Sequence, residues 1–427
     1  MNFKNLINQR KPCTNKKIFA LCNSMNEVIN HKISKRAEAI TESITMKITA
    51  LAKQLKAEGE DVIGFGAGEP DFGTPTHISQ AGIDAILTGK TTYTPASGIP
   101  ELKEAISSFE SQFLNIDIKA NNVVVSCGGK HAIMNVCLAL LDAGDEVIIP
   151  SPYWVSYPEQ VKLCGASPIF VNCLEENHFC LTAKDFEASI TPKTKLLILN
   201  SPSNPTGMLY TKDNLEALLA IAKKHNIYVL SDEIYAQLIY DGLSHQSIAS
   251  LDGINEHVIL VSGVAKSYAM TGWRIGYSIC HPNLAKQIAS LQSHMTSNPS
   301  TPAQWAALEA IQSDQSSIIE MRKIFEARRN NMCKLLNKMP YITCLKPQGA
   351  FYTFPNISNT FGKKTKLGAS INNSVDFCEH LLAEAKIACV PGAGFGSDPF
   401  MRLSYATSDQ LIETGLKRLH QWLQDLH

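Results

Sequence analysis

The chain has 427 residues, with 39 Lys and Arg balanced by 39 Asp and Glu. At 44% hydrophobic and 18% charged, it can bury a sizeable core, and its length is that of two or three domains, or one large domain with an appendage. Zero net charge with no basic cluster interleaved with aromatics argues against a nucleic-acid partner, and the longest clean apolar run, Val136–Leu141, is far short of the roughly 20 residues that span a bilayer.

Residues 1–30 carry Lys4, Arg10, Lys11, Lys16 and Lys17 against one acid, Glu27. Ile18–Cys22 is too short for a secretory core, and the stretch lacks the Ser and Arg of a transit peptide. Residues 1–33 read as a disordered extension, either a cytosolic tail or sequence upstream of a start at Met25. Ser34–Ile40 leads into a helix with Ile48, Leu51, Ala52 and Leu55 expected on one face. Gly64–Gly68 resembles a dinucleotide fingerprint, but its third glycine is misplaced and Pro70 would break the following helix. Gly392–Gly396 fails in the same way.

Val123–Val125 reads as a strand, and Ser126–Lys130 as the turn that ends it and opens a helix, the form of an anion site. Four further apolar runs follow: Glu146–Pro150, Lys195–Asn200, Ile227–Ser231 and Val258–Ser262. Between the second and third, Asp213–His225 carries Leu215, Leu218, Leu219 and Ala222 at helical spacing. Continuous hydrophobicity predicts strands buried on both faces, in a mostly parallel sheet covered by helices. The C-terminal Leu416, Leu419, Leu423 and Leu426 predict a helix packed on the core. The 12 cysteines include no C-x-x-C pair and no matching histidine pair. They therefore suggest neither zinc nor a redox motif, but reduced thiols in a cytosolic protein.

The segments after the strands carry chemistry. They are Ser151–Trp154, Ser201–Gly207, Asp232–Tyr235 and Gly263–Lys266. Ligands of open α/β sheets bind beyond the carboxyl ends of the strands, so an aromatic, an amide, a carboxylate with a phenol, and an amine converge on one rim. Each alone has a bland reading, as a helix cap or a solvated lysine; the ordered set of four is specific. A lysine forms a Schiff base with an aldehyde cofactor, and pyridoxal phosphate also needs a carboxylate at its ring nitrogen. Lys266 and Asp232 suit these roles. Asn204 and Tyr235 suit the ring oxygen, Trp154 the ring face, and the Gly128–Gly129 turn with Arg274 the phosphate.

Gly263–Gly276 resembles, at every constrained position, the cofactor-attachment motif of the fold-type-I, class I aminotransferases; Asn204–Gly207 and Asp232–Tyr235 match two further hallmarks. The likeness runs from about residue 33 to the C-terminus. It is strongest to the bacterial- and plastid-type aspartate aminotransferase branch, which includes prephenate-accepting members. It implies an α/β fold with a large cofactor domain, 76–310, holding a mainly parallel seven-stranded sheet. A smaller α/β domain would combine 34–75 with 311–427. It implies Lys266 as the Schiff-base lysine and sole catalytic residue, Asp232 at the ring nitrogen, Asn204 and Tyr235 at the ring oxygen, and Arg274, Gly128 and Gly129 at the phosphate. Tyr93 would reach the phosphate of a partner subunit, implying a homodimer. Gly263 stands where many relatives carry a phosphate-binding serine.

On the substrate side the resemblance implies Arg402 and the Gly68 backbone at the α-carboxylate, Trp154 and Asn204 beside it, and Lys130 at the distal carboxylate. Thr45 matches a threonine of the prephenate-accepting members and serves equally well as a helix cap. The implied reaction is ping-pong transamination between aspartate or glutamate and a 2-oxo acid, with prephenate as an additional acceptor and no metal. Two rivals share parts of this pattern. Carbon–sulfur β-lyases share every cofactor residue, and a regulator of this fold would carry a DNA-binding domain of some 60 residues ahead of it.

Overall fold

The computed structural model describes residues 33–41, 44–254 and 257–427, with Thr45, Met46 and Thr49 described in backbone only. The expected N-terminal extension thus lies, except for Ile33, outside the described residues. Contacts separate one unit ending at Ile40 from a second, Thr41–His427. In the first, helix α1 (Lys35–Glu38) is capped by Ser34, whose hydroxyl accepts from the Ala37 N–H.

The second unit opens with helix α2 (Ile44–Ala57), strand β1 (Ile63–Gly64) and helices α3 (Thr76–Leu87) and α4 (Pro100–Leu114). Strands and helices then alternate: β2 (Val123–Ser126), α5 (Gly129–Leu140), β3 (Glu146–Ser151), α6 (Ser156–Leu163) and β4 (Ser167–Asn172). The run continues through β5 (Thr194–Asn200), α7 (Lys212–Lys224), β6 (Tyr228–Asp232), β7 (Val258–Gly263) and β8 (Gly276–Ile279). The C-terminal part comprises α8 (Pro282–Met295), α9 (Thr301–Gln312), α10 (Ser316–Leu336), β9 (Tyr352–Thr353) and α11 (Ser374–Ala385). It closes with β10 (Ile387–Ala388), β11 (Val390–Pro391), β12 (Met401–Ser404) and α12 (Asp409–Gln424).

Seven strands form one sheet in the order β2-β8-β7-β6-β5-β3-β4. Every pairing is parallel except the two made by β8. All five apolar runs read from the sequence are strands of this sheet. Successive residues point to opposite faces, so Leu197 and Val229 enter one core while Ile198 and Leu230 enter another. Both faces are covered, and each fully buried Val, Leu or Ile contributes about 1.5–3 kcal/mol. Helix α7 begins at Thr211, whose hydroxyl accepts from the Asn214 N–H.

A separate apolar cluster gathers around α10, α11, α12 and β9–β12, and includes Ile63, Phe65, Tyr235 and Leu238. Leu416, Leu419, Leu423 and Leu426 are buried in it, as their spacing predicts. Parallel pairing of β1 with β10 ties the N-terminal strand to this region. Helix α2 departs from its predicted face. Ala52 is buried and Ile48 and Leu55 are half-buried, but Leu51 is 44% exposed. It lies on the flank of the stripe, beyond the reach of the small cluster around Val62, Leu382 and Ala388.

Candidate active site

Strands β3, β5, β6 and β7 end on one rim. At its centre Asn200, the last residue of β5, pairs in register with Asp232, the last of β6. Its amide donates to the Asp232 carbonyl (2.8 Å), and its side-chain oxygen accepts from the Asn204 N–H (2.7 Å). One side chain thus fixes the Asn204 loop to the neighbouring strand end.

Asp232 is 5% exposed. One carboxylate oxygen accepts from the Tyr157 hydroxyl at 2.6 Å and the other from the Ile234 N–H at 3.3 Å. Burial outweighs these two donors and pushes its acid up to about 6. A buried carboxyl held this way is stabilised as the anion by a cation placed against it.

Lys266 follows β7, and its ammonium donates to the Gly68 carbonyl. Its Nζ lies 6.0 Å from the Tyr235 ring centre and 5.7 Å from that of Phe351. Burial pulls the amine down to about 8; Arg402 and Arg274 act with it, whereas Glu69 and Asp232 oppose it. Tyr235 is buried, and its hydroxyl lies 3.0 Å from that of Tyr352.

The turn between β2 and α5 is shaped by close approach. Gly128 has φ +89°, and a Cβ there would lie 2.3 Å from Arg274 Nη2, so only glycine admits the guanidinium. Arg274 donates to the Thr271 carbonyl (2.9 Å) and the Cys127 carbonyl (3.3 Å). Glycine at 263 has the same origin, since a Cβ there would meet the Gly276 Cα at 2.8 Å. At Gly276, a Cβ would meet the Gly129 nitrogen at 2.3 Å. The turn is thus laid directly on the β7–β8 pair.

Arg402, on β12, is 2% exposed. Nη1 donates to Asn204 Oδ1 (2.8 Å), Nη2 to the Gly66 carbonyl (2.9 Å), and Nε has no partner. The guanidinium lies 4.4 Å from the Tyr352 ring centre and 5.0 Å from that of Phe395, a face-on position that favours a cation. Lys130 holds its Nζ 5.1 Å from the Trp154 ring centre. Partial burial and the Arg274 charge hold that ammonium below the usual lysine range.

Lys266, Asp232, Asn204, Tyr235, Gly68 and Arg402 therefore share one cluster, bordered by Trp154 and Lys130 and by the Gly128–Gly129 turn with Arg274. Tyr93 stands apart, 89% exposed. Thr45 is the second residue of α2, and its side chain lies outside the described residues. Among the described residues no cluster of three or more His, Cys, Asp or Glu is placed to hold a metal, and no helix is long and apolar enough to cross a membrane.

Sequence reading missed Tyr157 and Tyr352. Tyr157 lies three residues beyond Trp154, in the first turn of α6, from which it meets Asp232; its nearness to the strand end was the available signal. Tyr352 carried none, because it meets Tyr235 and Arg402 only through the fold. The residues present fit pyridoxal phosphate. A buried, sparsely hydrogen-bonded acid suits a ring nitrogen, and a side-chain-free turn under a guanidinium suits a phosphate. Lys266 would supply the amine for the aldehyde.

Residues 60–419 match the family model for class I and II aminotransferases. The chain is 47% identical over 394 residues to an aspartate aminotransferase of Geobacillus stearothermophilus, covering 92% of this chain and 99% of the relative. It is 44% identical to a probable aspartate/prephenate aminotransferase of Rickettsia bellii, covering 91% and 98%. Among solved structures, an aspartate aminotransferase from Rhizobium meliloti aligns with TM-score 0.90 at 40% identity, covering 93% of this chain and 100% of that one. A Thermus thermophilus aspartate aminotransferase, determined with maleate, aligns with TM-score 0.87 at 39% identity, covering 92% and 100%.

Proposed function

The chain belongs to the class I and II aminotransferases, and from that premise we propose how its own residues hold cofactor and substrate. It is a pyridoxal-phosphate-dependent enzyme of transamination. The proposed donor is L-aspartate or glutamate and the proposed acceptor a 2-oxo acid, 2-oxoglutarate or oxaloacetate. Prephenate, giving arogenate, is an additional acceptor; the relatives named for both substrates support this.

The observation that carries the substrate class is Arg402. Its buried guanidinium is aligned by Asn204 and the Gly66 carbonyl and retains an unpartnered Nε. A planar fork in that state receives a carboxylate well, because burial has already stripped it of water and disfavours its charge until an anion pairs with it. Gly68 and Asn204 lie beside it, and Lys130 over Trp154 supplies a second cation for a distal carboxylate. A dicarboxylate bound in the Thermus relative agrees with this assignment.

Bound pyridoxal phosphate supplies an aldehyde carbon for the amine and a ring that accepts electrons from the substrate α-carbon. Asp232 would stand ionised at the ring nitrogen, its charge stabilised by the Tyr157 hydroxyl. Asn204 and Tyr235 would donate to the ring oxygen. Arg274 with the Gly128–Gly129 turn would hold the phosphate, and Trp154 would cover the ring. An amine near 8 is a usable base at neutral pH, so Lys266 Nζ would take the proton from the substrate Cα and pass it on within the same half-reaction, and would run that transfer in reverse in the second.

We further propose a cytoplasmic homodimer. Tyr93 and the exposed Ile83, Ile86 and Leu87 of α3 support a partner subunit covering that surface. We propose the domain division 76–310 against 34–75 with 311–427; the two largest apolar clusters lie mostly on either side of it and support it, although Tyr235, Leu238 and Tyr240 join the second cluster and Ile311 and Ile318 the first. An activity matrix of amino donors against keto acceptors tests the function. Aspartate with 2-oxoglutarate should lead, and Lys130→Ala should lower aspartate kcat/KM at least about tenfold while sparing alanine. Pyruvate and ammonia from cystathionine, without amino transfer, would contradict it.

A further inference from the structure

The segment Gly66–Thr74 crosses the site and is held from several sides. Its Gly66 and Gly68 carbonyls accept from Arg402 and Lys266. Further along, the Thr74 hydroxyl donates to the Ala269 carbonyl (2.8 Å) and accepts from the Trp273 indole (3.0 Å). Arg328 donates to both Asp71 oxygens, at 2.8 and 3.0 Å. Between these ties lies Glu69, whose carboxylate accepts from the Thr271 hydroxyl at 2.9 Å. The carbonyl of that same Thr271 accepts from Arg274 Nη1 at 2.9 Å. Thr271 thus touches the substrate-facing loop through its side chain and the proposed phosphate arginine through its backbone.

We propose that Glu69 is a positioning residue: through Thr271 it latches the Gly66–Gly68 loop to the Lys266–Arg274 segment, and its carboxylate offsets the cations around Lys266. The proposal rests on Lys266 being the cofactor lysine. The Coulombic balance makes Glu69 useful. Lys266 is faced by Arg402 from β12 and Arg274 from the segment after Thr271, both cationic. Among the described groups that act most strongly on it, Asp232, from β6, and Glu69 contribute negative charge, and the phenols of Tyr235 and Tyr352 stand nearby without it. With Asp232 assigned to the ring nitrogen, Glu69 is the remaining anion that favours a proton on the lysine nitrogen. The latch also fixes the Gly68 carbonyl, the direct acceptor from that nitrogen.

Charge and latch separate experimentally. Glu69→Gln keeps an oxygen for Thr271 but removes the charge. Thr271→Val keeps the charge but removes the hydrogen bond, and Thr271→Ser restores it. Each holoenzyme is titrated from pH 5 to 9 by cofactor absorbance, and KM and kcat for aspartate are measured alongside. Glu69→Gln should move the absorbance midpoint to lower pH by about half a unit or more, because a nearby anion stabilises the protonated nitrogen. Thr271→Val should raise KM about three- to tenfold with kcat within about twofold, and Thr271→Ser should recover wild-type KM. An unmoved midpoint in Glu69→Gln, or a KM unmoved in Thr271→Val, overturns the proposal. Failure of the underlying reading looks different: Lys266→Ala would then keep the wild-type cofactor band.

Discussion

Asp232 and Glu233 are neighbours at the end of β6, 5% and 2% exposed, yet they are satisfied in different ways on opposite faces of the sheet. Glu233 accepts from Ser231 Oγ and Ser247 Oγ at 2.7 Å and from His245 Nε2 at 2.5 Å. That carboxylate is fully occupied. Asp232 has one phenol and one long backbone N–H. A buried anion costs several kcal/mol unless its partners offset the desolvation, so the protein meets that cost at Glu233 and leaves it open at Asp232. Two equally buried acids thus differ in kind: the saturated one holds the fold together, and the other keeps acceptor capacity for a further donor.

Substituting each acid is the strongest way to break this contrast. Asp232→Ala should lower kcat/KM at least about 100-fold while leaving the urea midpoint near wild type. Glu233→Ala should do the reverse, costing about 3–5 kcal/mol of stability by stranding His245 and the two hydroxyls. Its folded fraction should keep kcat within a few-fold. Glu233→Gln, which retains an acceptor, should lose less stability and serves if the alanine variant does not fold. Urea titrations with parallel kinetics read both, and equal activity losses in the two alanine variants would erase the distinction.

A smaller effect is expected at the phenol beside Asp232. Tyr157→Phe removes the strongest donor to Asp232, and a hydrogen bond to a charged group is worth about 1.5–3 kcal/mol. Cofactor release, followed by absorbance after dialysis, should therefore quicken roughly 10-fold or more. Unchanged release would show that Asp232 does not depend on this phenol.

The smallest effect lies on the structural face. Glu110, buried against Tyr277 (2.6 Å), has its acid pushed up to about 7, chiefly by burial and further by the charge of Glu233. The folded state therefore holds this proton more tightly than the unfolded chain, and stability falls as pH rises from the unfolded value of 4.5 towards about 7. Glu110→Gln removes that slope. Its stability relative to wild type should rise between pH 5 and 8 by on the order of 1–3 kcal/mol, read from urea midpoints. A constant difference would contradict the assignment.

The rim was legible in the sequence because the chain delivers its chemistry locally. The candidate residue sits at a strand's end or within a few positions of it, as at Asp232, Lys266 and Gly128. The strands themselves were legible from their continuous hydrophobicity. Contacts made across the fold were not. Asp232 and Glu233 are chemically equivalent in sequence, and beside their local donors, Ile234 and Ser231, it is Tyr157 from α6 and Ser247 and His245 from the stretch after β6 that set them apart. Tyr352 and Phe395 reach Arg402 from segments with no periodic signal. Gly263 reads as a lost hydroxyl in the sequence, and its close contact with Gly276, which would have to shift for a side chain to enter, is visible only in the fold. Leu51 matched the helical stripe but found no core to meet.

Attachment of pyridoxal phosphate at this rim, through Lys266, is directly testable. The purified chain can be loaded with the cofactor, reduced with borohydride and mapped by peptide mass. The account predicts that the added mass lies on the peptide containing Lys266 and is absent from Lys266→Ala. Added mass on another lysine, or an unchanged map in Lys266→Ala, would contradict it.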